Sequence, residues 1–393
     1  MKTLPFCWFR ITALLMLAAG LTNCRLPPEM APQGAGGTTV LRAQSTNGGS
    51  LYAGAWQLGL SSQSSSINGV ARMFAGLDDS ASPYHQQQMG ALWSRHDYAR
   101  GQRVRAWASR EIGDLQGHRA LFYPFSGPDY LFAHELFPQA ETYILCGLEP
   151  AEPLPDLQSL SQGEIASGLN SLRTALSSVM QTGYFITTDM RRDLQASRFR
   201  GVLPVLLTFL ARTGATVDSV DIVRIDGTGN VVLSSASSGS APGLMIRFHN
   251  GLTGWKRLFY FRQDLSNSGT RPNGPFLTFV AKHGYPPALV KSASYLMHQD
   301  SFSTIRDYLV HRTSGLVQDP SGVPWRALAR APLSISLYGN YRGTLSIFSQ
   351  QQPDLMRAYL SGVYPVQPVD FGFGYLGNAE RTSIIVTRPQ RKD

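Results

Sequence analysis

Apolar residues run almost without interruption from Ile11 to Leu21, behind Lys2 and Arg10. A bilayer-spanning helix needs roughly 20 such residues, so this short run reads as the apolar core of an export signal instead. Leu21-Thr22-Asn23-Cys24 follows. Leucine three residues before cysteine resembles the bacterial lipobox, with Asn23 where Gly, Ala or Ser is usual. Residues 1–23 are therefore expected to be a signal peptide. Cys24 is the expected lipidation site and membrane anchor, with plain secretion as the alternative. Pro, Gly, Thr, Ser and Gln dominate from residue 25 to about 50. Too few apolar side chains are present there to pack a core, which suits a flexible tether.

The body, residues 51–393, alternates between two periods. Residues 82–113 are helical in pattern, with Ser82-Pro83 as a start signal and Met89, Leu92 and Trp93 on one face. Residues 119–125 read as a buried strand. A short helical run ends at Pro138, and residues 143–148 form the next strand. A strand–helix–strand unit predicts a parallel pair. Helical spacing returns over 161–183 and 202–212. A meander then follows, from 217–225 to 231–235 across Asp226-Gly-Thr-Gly-Asn230, and from 244–249 to 256–262. Residues 286–314 read as helix broken near 300–303, while 333–338 and 383–387 read as strands. The expectation is an α/β body in one domain. It has a mixed sheet with helices packed on it and an antiparallel meander in mid-chain.

Composition narrows the function. The 393 residues carry 35 basic and 26 acidic side chains, a net charge of +9. The densest basic stretch, residues 95–119, also holds Asp97, Glu111 and Asp114, which reads as a solvated and partly self-paired face. Without a clustered basic surface, and with export expected, no nucleic-acid partner is predicted. Of three cysteines, Cys7 lies in the signal, Cys24 at the anchor and Cys146 in an apolar run. No disulfide can form within a lipidated body, and Cys146 reads as a buried thiol. Sequence-local zinc spacings are absent, so no metal is predicted.

Candidate chemistry concentrates in Tyr123-Pro-Phe-Ser126-Gly-Pro-Asp129 with His134 and, after the next strand, Glu149. Ser126 could serve as a nucleophile, with His134 as base and Asp129 or Glu149 orienting it. Ser126-x-x-Asp129 also fits a capping box, and no G-x-S-x-G elbow is present. Ser126-Gly127 followed by Glu149 faintly matches a nucleotide-binding turn with its acid. However, there is no G-x-G-x-x-G, Pro128 lacks the N–H a phosphate would want, and adenosylmethionine and nicotinamide cofactors are cytosolic. No cofactor is therefore predicted. His298, read at a helix end, could be a general base or could meet the last carbonyls. Asp319 in Gln318-Asp-Pro-Ser-Gly322 fits a type I turn, with a surface acid as the functional alternative. Tyr338-Gly-Asn-Tyr341 and Phe371-Gly-Phe-Gly-Tyr375 could stack on a sugar or peptide, or pack at a sheet edge.

Arg105-Ala-Trp107, Tyr123–Asp129, Gly147-Leu-Glu-Pro150, Ala293-Ser-Tyr-Leu-Met-His298, Gln318-Asp-Pro-Ser-Gly-Val-Pro324 and Leu337-Tyr-Gly-Asn-Tyr341 together resemble a family of uncharacterised exported bacterial proteins. The resemblance spans about residues 70 to 385 and implies a shared fold and export. It brings no activity, cofactor or catalytic residue. The function expected is a cell-envelope lipoprotein, periplasmic or on the outer membrane, whose body binds a ligand or partner without catalysis. The alternative is a cofactor-free hydrolase of wall or lipid material using Ser126 with His134 or His298.

Overall fold

A computed structural model describes residues 67–184, 198–234, 242–251, 254–375 and 377–390. The expected signal, the tether and Cys24 lie outside the described residues, which all belong to one compact unit, Trp56–Asp393. No helix among the described residues is long and apolar enough to cross a membrane.

The body is α/β, built on one mixed eleven-stranded sheet. In chain order the strands are β1 (Ala120–Tyr123), β2 (Thr142–Gly147), β3 (Thr216–Ile225), β4 (Val231–Leu233), β5 (Gly243–His249) and β6 (Trp255–Arg262). Then come β7 (Ala288–Val290), β8 (Leu316–Gln318), β9 (Leu333–Gly339), β10 (Val366–Gln367) and β11 (Ser383–Pro389). In space they lie β10-β9-β11-β8-β7-β1-β2-β6-β5-β3-β4. The centre, β8-β7-β1-β2-β6, is parallel throughout. The predicted meander β3–β6 closes one side antiparallel, and β11 is antiparallel to both β8 and β9 on the other.

Period-two alternation splits the core into two clusters across the sheet. Leu121, Tyr123, Tyr143, Leu145, Leu258, Tyr260, Leu289 and Val317 join one cluster. It includes residues of the helices Ile67–Phe74, Pro83–His96, Gln102–Glu111, Tyr130–Leu136, Gln162–Thr182 and Leu203–Arg212. Phe122, Ile144, Cys146, Phe259, Phe261, Ala288, Val290 and Leu316 join the other, with the helices Pro275–Ala281, Ser303–His311, Trp325–Leu328 and Pro353–Leu360. Local chemistry sets several helix ends. The Ser82 hydroxyl accepts from the His85 N–H ahead of Pro83. Ser161 and Glu164 form a reciprocal capping box, and Gly183, at φ +85°, ends the same helix in the left-handed region.

The helix expected over 286–314 is corrected. Residues Ala288–Val290 form β7, and 3₁₀ turns occupy Leu296–His298 and Asp300–Phe302. Only Ser303–His311 is α-helical. The cause is physical: β7 is covered on both faces, so it shows an unbroken apolar run rather than alternation. Three residues of such a run carry no period of their own.

Candidate functional site

The chain leaves β1 for β2 on one side, while β7 pairs with β1 on the other. That reversal is a topological switch point, where open α/β sheets hold ligands beyond the carboxyl ends of their strands. The segments following β1, β2, β7 and β8 carry most of the sequence candidates.

Ser126 follows β1 and is buried. Its hydroxyl donates to the carbonyls of Gly127 (2.9 Å) and Cys146 (3.2 Å), and accepts from the Cys146 N–H (3.1 Å). It therefore stitches the β1 turn to β2. The capping-box reading is corrected: the cap of Tyr130–Leu136 is Asp129, whose carboxylate accepts from the Phe132 N–H at 3.2 Å. The helix thus starts three residues later than that reading placed it, leaving the serine outside it.

Asp129 does more than cap. It pairs with Lys291 at 2.8 Å and accepts from the Tyr123 hydroxyl at 2.9 Å, and all three side chains are buried. Lys291 follows β7. Its ammonium also donates to the Gly183 carbonyl and lies 4.0 Å from the centre of the Phe132 ring. Burial pulls the Lys291 pKa down while Asp129 opposes it, and burial beside Asp129 pushes the Tyr123 phenol well up.

Asp319 follows β8 and is 2% exposed, so the surface-loop reading is corrected. The predicted turn is present, with the Gly322 N–H donating to the Asp319 carbonyl. The carboxylate accepts from the Ser321 hydroxyl, the Ser292 N–H and the Tyr375 backbone. Gly374, at φ +72°, is required beside it, because a Cβ there would collide with the carboxylate. Burial raises its pKa to about 6 against these donors. The Tyr375 hydroxyl donates to the Ser292 carbonyl (2.8 Å) and accepts from the Ser294 N–H (3.0 Å). A shallow depression of about 10 Å³, room for roughly one water, lies here, lined by Tyr295, Asp319, Leu345, Tyr375 and Arg381 among others.

Glu149, after β2, is buried, and its Oε2 accepts from the Tyr260 hydroxyl at 3.1 Å. The two histidines stand apart from Ser126 in their bonding. His134 lies on the helix after Asp129, paired with the Tyr130 hydroxyl at 3.3 Å, and burial lowers its pKa to about 4. His298 sits in a 3₁₀ turn rather than at an α-helix end, against the backbone of Pro320 and Gly322. Its pKa too falls to about 4 through burial. No hydrogen bond joins Ser126 to a histidine among the described residues.

Backbone strain marks the same edge. Among the described residues six non-glycines have left-handed φ, and four of them follow β1 or β7: Phe125, Ser292, Ser294 and Tyr295. Each costs about 1–3 kcal/mol and persists only where surroundings over-determine it. Sequence reading missed Lys291, Arg100 and this loop. The short run Ala288–Val290 between Pro287 and Lys291 was the available signal for a buried strand ending in a charge. Arg100 lies in a π-helical turn, Asp97–Gly101, rather than on the solvated basic face. Its Nη1, with His96 Nδ1 and Glu135 Oε2, is buried without a hydrogen-bond partner among the described residues.

The aromatics Tyr338, Tyr341, Phe371 and Phe373 are buried, and Phe373 borders the depression together with Tyr295 and Tyr375. Cys146 is a buried free thiol with its pKa pushed up to about 12 by burial. Among the described residues no group of three His, Cys, Asp or Glu side chains is placed to hold a metal ion. No protein-family model, curated protein or solved structure matches this chain.

Proposed function

We propose that this chain is an exported cell-envelope lipoprotein, anchored through acyl chains on Cys24, whose body binds a small organic ligand beyond the carboxyl ends of β1, β2, β7 and β8. The observation that carries the site is the gathering of four strained non-glycine residues around the buried Asp129–Lys291 pair at the switch point. The export half rests on the residue 1–24 pattern. Binding without catalysis is favoured over the Ser126 hydrolase because that hydroxyl is spent on the backbone of Gly127 and Cys146.

Hydrogen exchange of the mature chain tests the site against panels of nucleosides, sugars and amino acids. One class should slow exchange at the amides of Phe125–Gly127 and Ser292–Tyr295 together. Unchanged exchange at both segments with every class sinks the reading. Export is tested by labelling cells with radioactive palmitate. The label should enter the wild-type chain and be absent from Cys24→Ala.

A further inference from the structure

We infer that the β5–β6 hairpin carries a second binding site, for a pyranose bearing a carboxylate, which stacks its C–H face on Trp255 and presents its acid to Arg257. The site is separate from the switch point and does not rest on that reading. β6 runs parallel to β2, with Arg257 beside Thr142 at the start of both strands. The hairpin end therefore lies at the amino ends of the central strands, away from the carboxyl ends of β1 and β7.

Strand period puts Trp255, Arg257 and Phe259 on one face of β6, and Met245, Arg247 and His249 on the same face of β5. His249 stands directly opposite Trp255, and Arg247 opposite Arg257. Phe259 and Met245 belong to the apolar cluster of that face, and the other four continue beyond it. Trp255 is 57% exposed, whereas Trp107 and Trp325 are buried and Trp93 packs against the core. Its ring is nevertheless held. His249 meets it edge-on at 5.0 Å, and the Arg247 guanidinium sits over it at 5.3 Å. An exposed flat ring fixed by its neighbours is a stacking platform prepared before a ligand arrives.

The charge arrangement gives the sign of the ligand. Two arginines directly opposite on adjacent strands repel each other, and an anion between them relieves the cost. Only one of them has its anion here. Asp218 pairs with Arg247 at 3.5 Å, and the buried Asp221 also acts on Arg247. Arg257 is exposed, and its side chain has no ion pair or hydrogen bond among the described residues. Glu141, whose carbonyl accepts from the Arg257 N–H at 2.8 Å, turns its carboxylate to Arg119 at 2.6 Å. Trp255 and Arg257 stand about 7 Å apart along β6, the rise of two strand residues. That span suits one sugar ring with an acid on its outer carbon. A neutral sugar leaves Arg257 unmatched, and a carboxylate without a ring leaves Trp255 uncovered. Asp218 argues against an anionic bilayer as the occupant, because like charges would meet there. The same carboxylate can accept from sugar hydroxyls.

The test is calorimetric titration of the mature chain with trimers of galacturonic, glucuronic and mannuronic acid. Matching neutral trimers of galactose, glucose and mannose, citrate, and phosphatidylglycerol vesicles serve as comparisons. At least one acidic trimer should bind, with its neutral counterpart weaker by about tenfold or more, the worth of one hydrogen bond to a charged group. Arg257→Gln should erase that preference, and Arg257→Lys should retain part of it. Trp255→Ala should abolish binding of the acidic trimer. Both positions are exposed, so urea midpoints of the variants should match the wild type. In the unaltered chain the acidic trimer should protect Trp255 from oxidation by N-bromosuccinimide, read by mass spectrometry. No binding by any acidic trimer, equal binding of acidic and neutral trimers, or citrate binding as tightly overturns the inference. So does trimer binding that survives Trp255→Ala. Vesicle binding that outcompetes the trimers and is lost in Trp255→Ala would make this edge a membrane contact and overturn it too. None of these outcomes bears on exchange at Phe125–Gly127 and Ser292–Tyr295, which tests the switch-point site alone.

Discussion

The two faces of the sheet both pack aromatic rings but differ in what interrupts that packing. On one face Phe122, Phe259, Phe261, Phe276 and Phe279 meet edge-on, tilted or stacked at 5.3 to 6.2 Å between ring centres. On the other, beyond the carboxyl end of β1 and β7, the filling is interrupted by Asp129, Lys291, Tyr123 and, nearby, Asp319. Aromatic packing tolerates small errors of shape, because each group loses only its own contacts. Buried charges do not, because removing one strands its partner. A chain that keeps such a cluster, and strained backbone beside it, accepts a stability cost at one edge.

The contrast can be broken by pH first. Burial depresses His134, His283 and His298 to about 4, so each is neutral when folded and protonated when unfolded between about pH 4 and 6.5. The unfolded chain binds more protons in that window. The histidine contribution is therefore complete above 6.5 and lost as pH falls toward 4. Asp319 opposes it. Raised to about 6, it holds its proton when folded, so its contribution is present below the unfolded value near 3.8 and lost as pH rises through 6. Three groups outweigh one, and urea midpoints should rise from pH 4 to 6.5. Asp319→Asn should steepen that rise, and His283→Phe, which sits among Phe259 and Phe279, should flatten it. A midpoint independent of pH over this range refutes the assignment of neutral buried histidines.

Next in size is the ion pair. Lys291→Met should cost about 3–5 kcal/mol in urea unfolding by leaving Asp129 buried and unpaired. Adding Asp129→Asn, which retains a capping oxygen, should restore much of the loss. Additive losses would show that the pair is not a coupled unit. The smallest effect belongs to the apolar face. Ile305→Val, at a fully buried position of that cluster, should cost about 0.5–1.5 kcal/mol and leave exchange at Ser292–Tyr295 unchanged. A change in that loop would mean that the two faces are mechanically coupled.

Much of the architecture was legible because its signals are local. The helix Gln162–Thr182 shows in the spacing of Leu169, Leu172, Leu176 and Val179, with Ser161 and Gly183 at its ends. The β3–β4 hairpin shows in Asp226–Asn230, where the Asp226 carboxylate accepts from the Thr228 and Asn230 N–H groups. The β1–β2 pair follows from strand–helix–strand order. β7 was illegible for the opposite reason. Its identity comes from being sandwiched between β1 and β8, contacts made with residues far away in the chain.

The candidate site divides the same way. Composition and motif bring forward Ser126, Asp129, Glu149 and Asp319, and short-range turn chemistry accounts for part of each. Sequence alone determines the α/β class and the lone body cysteine, and it supplies the residue 1–24 pattern on which the export proposal rests. Only tertiary structure decided that Ser126 is a stitch, that Asp129 answers to Lys291, and that Asp319 ties the loop after β7 to Tyr375. A hydroxyl or carboxylate is the same group wherever it stands. What it does depends on which donors the fold places within about 3 Å of it, and those come from other strands.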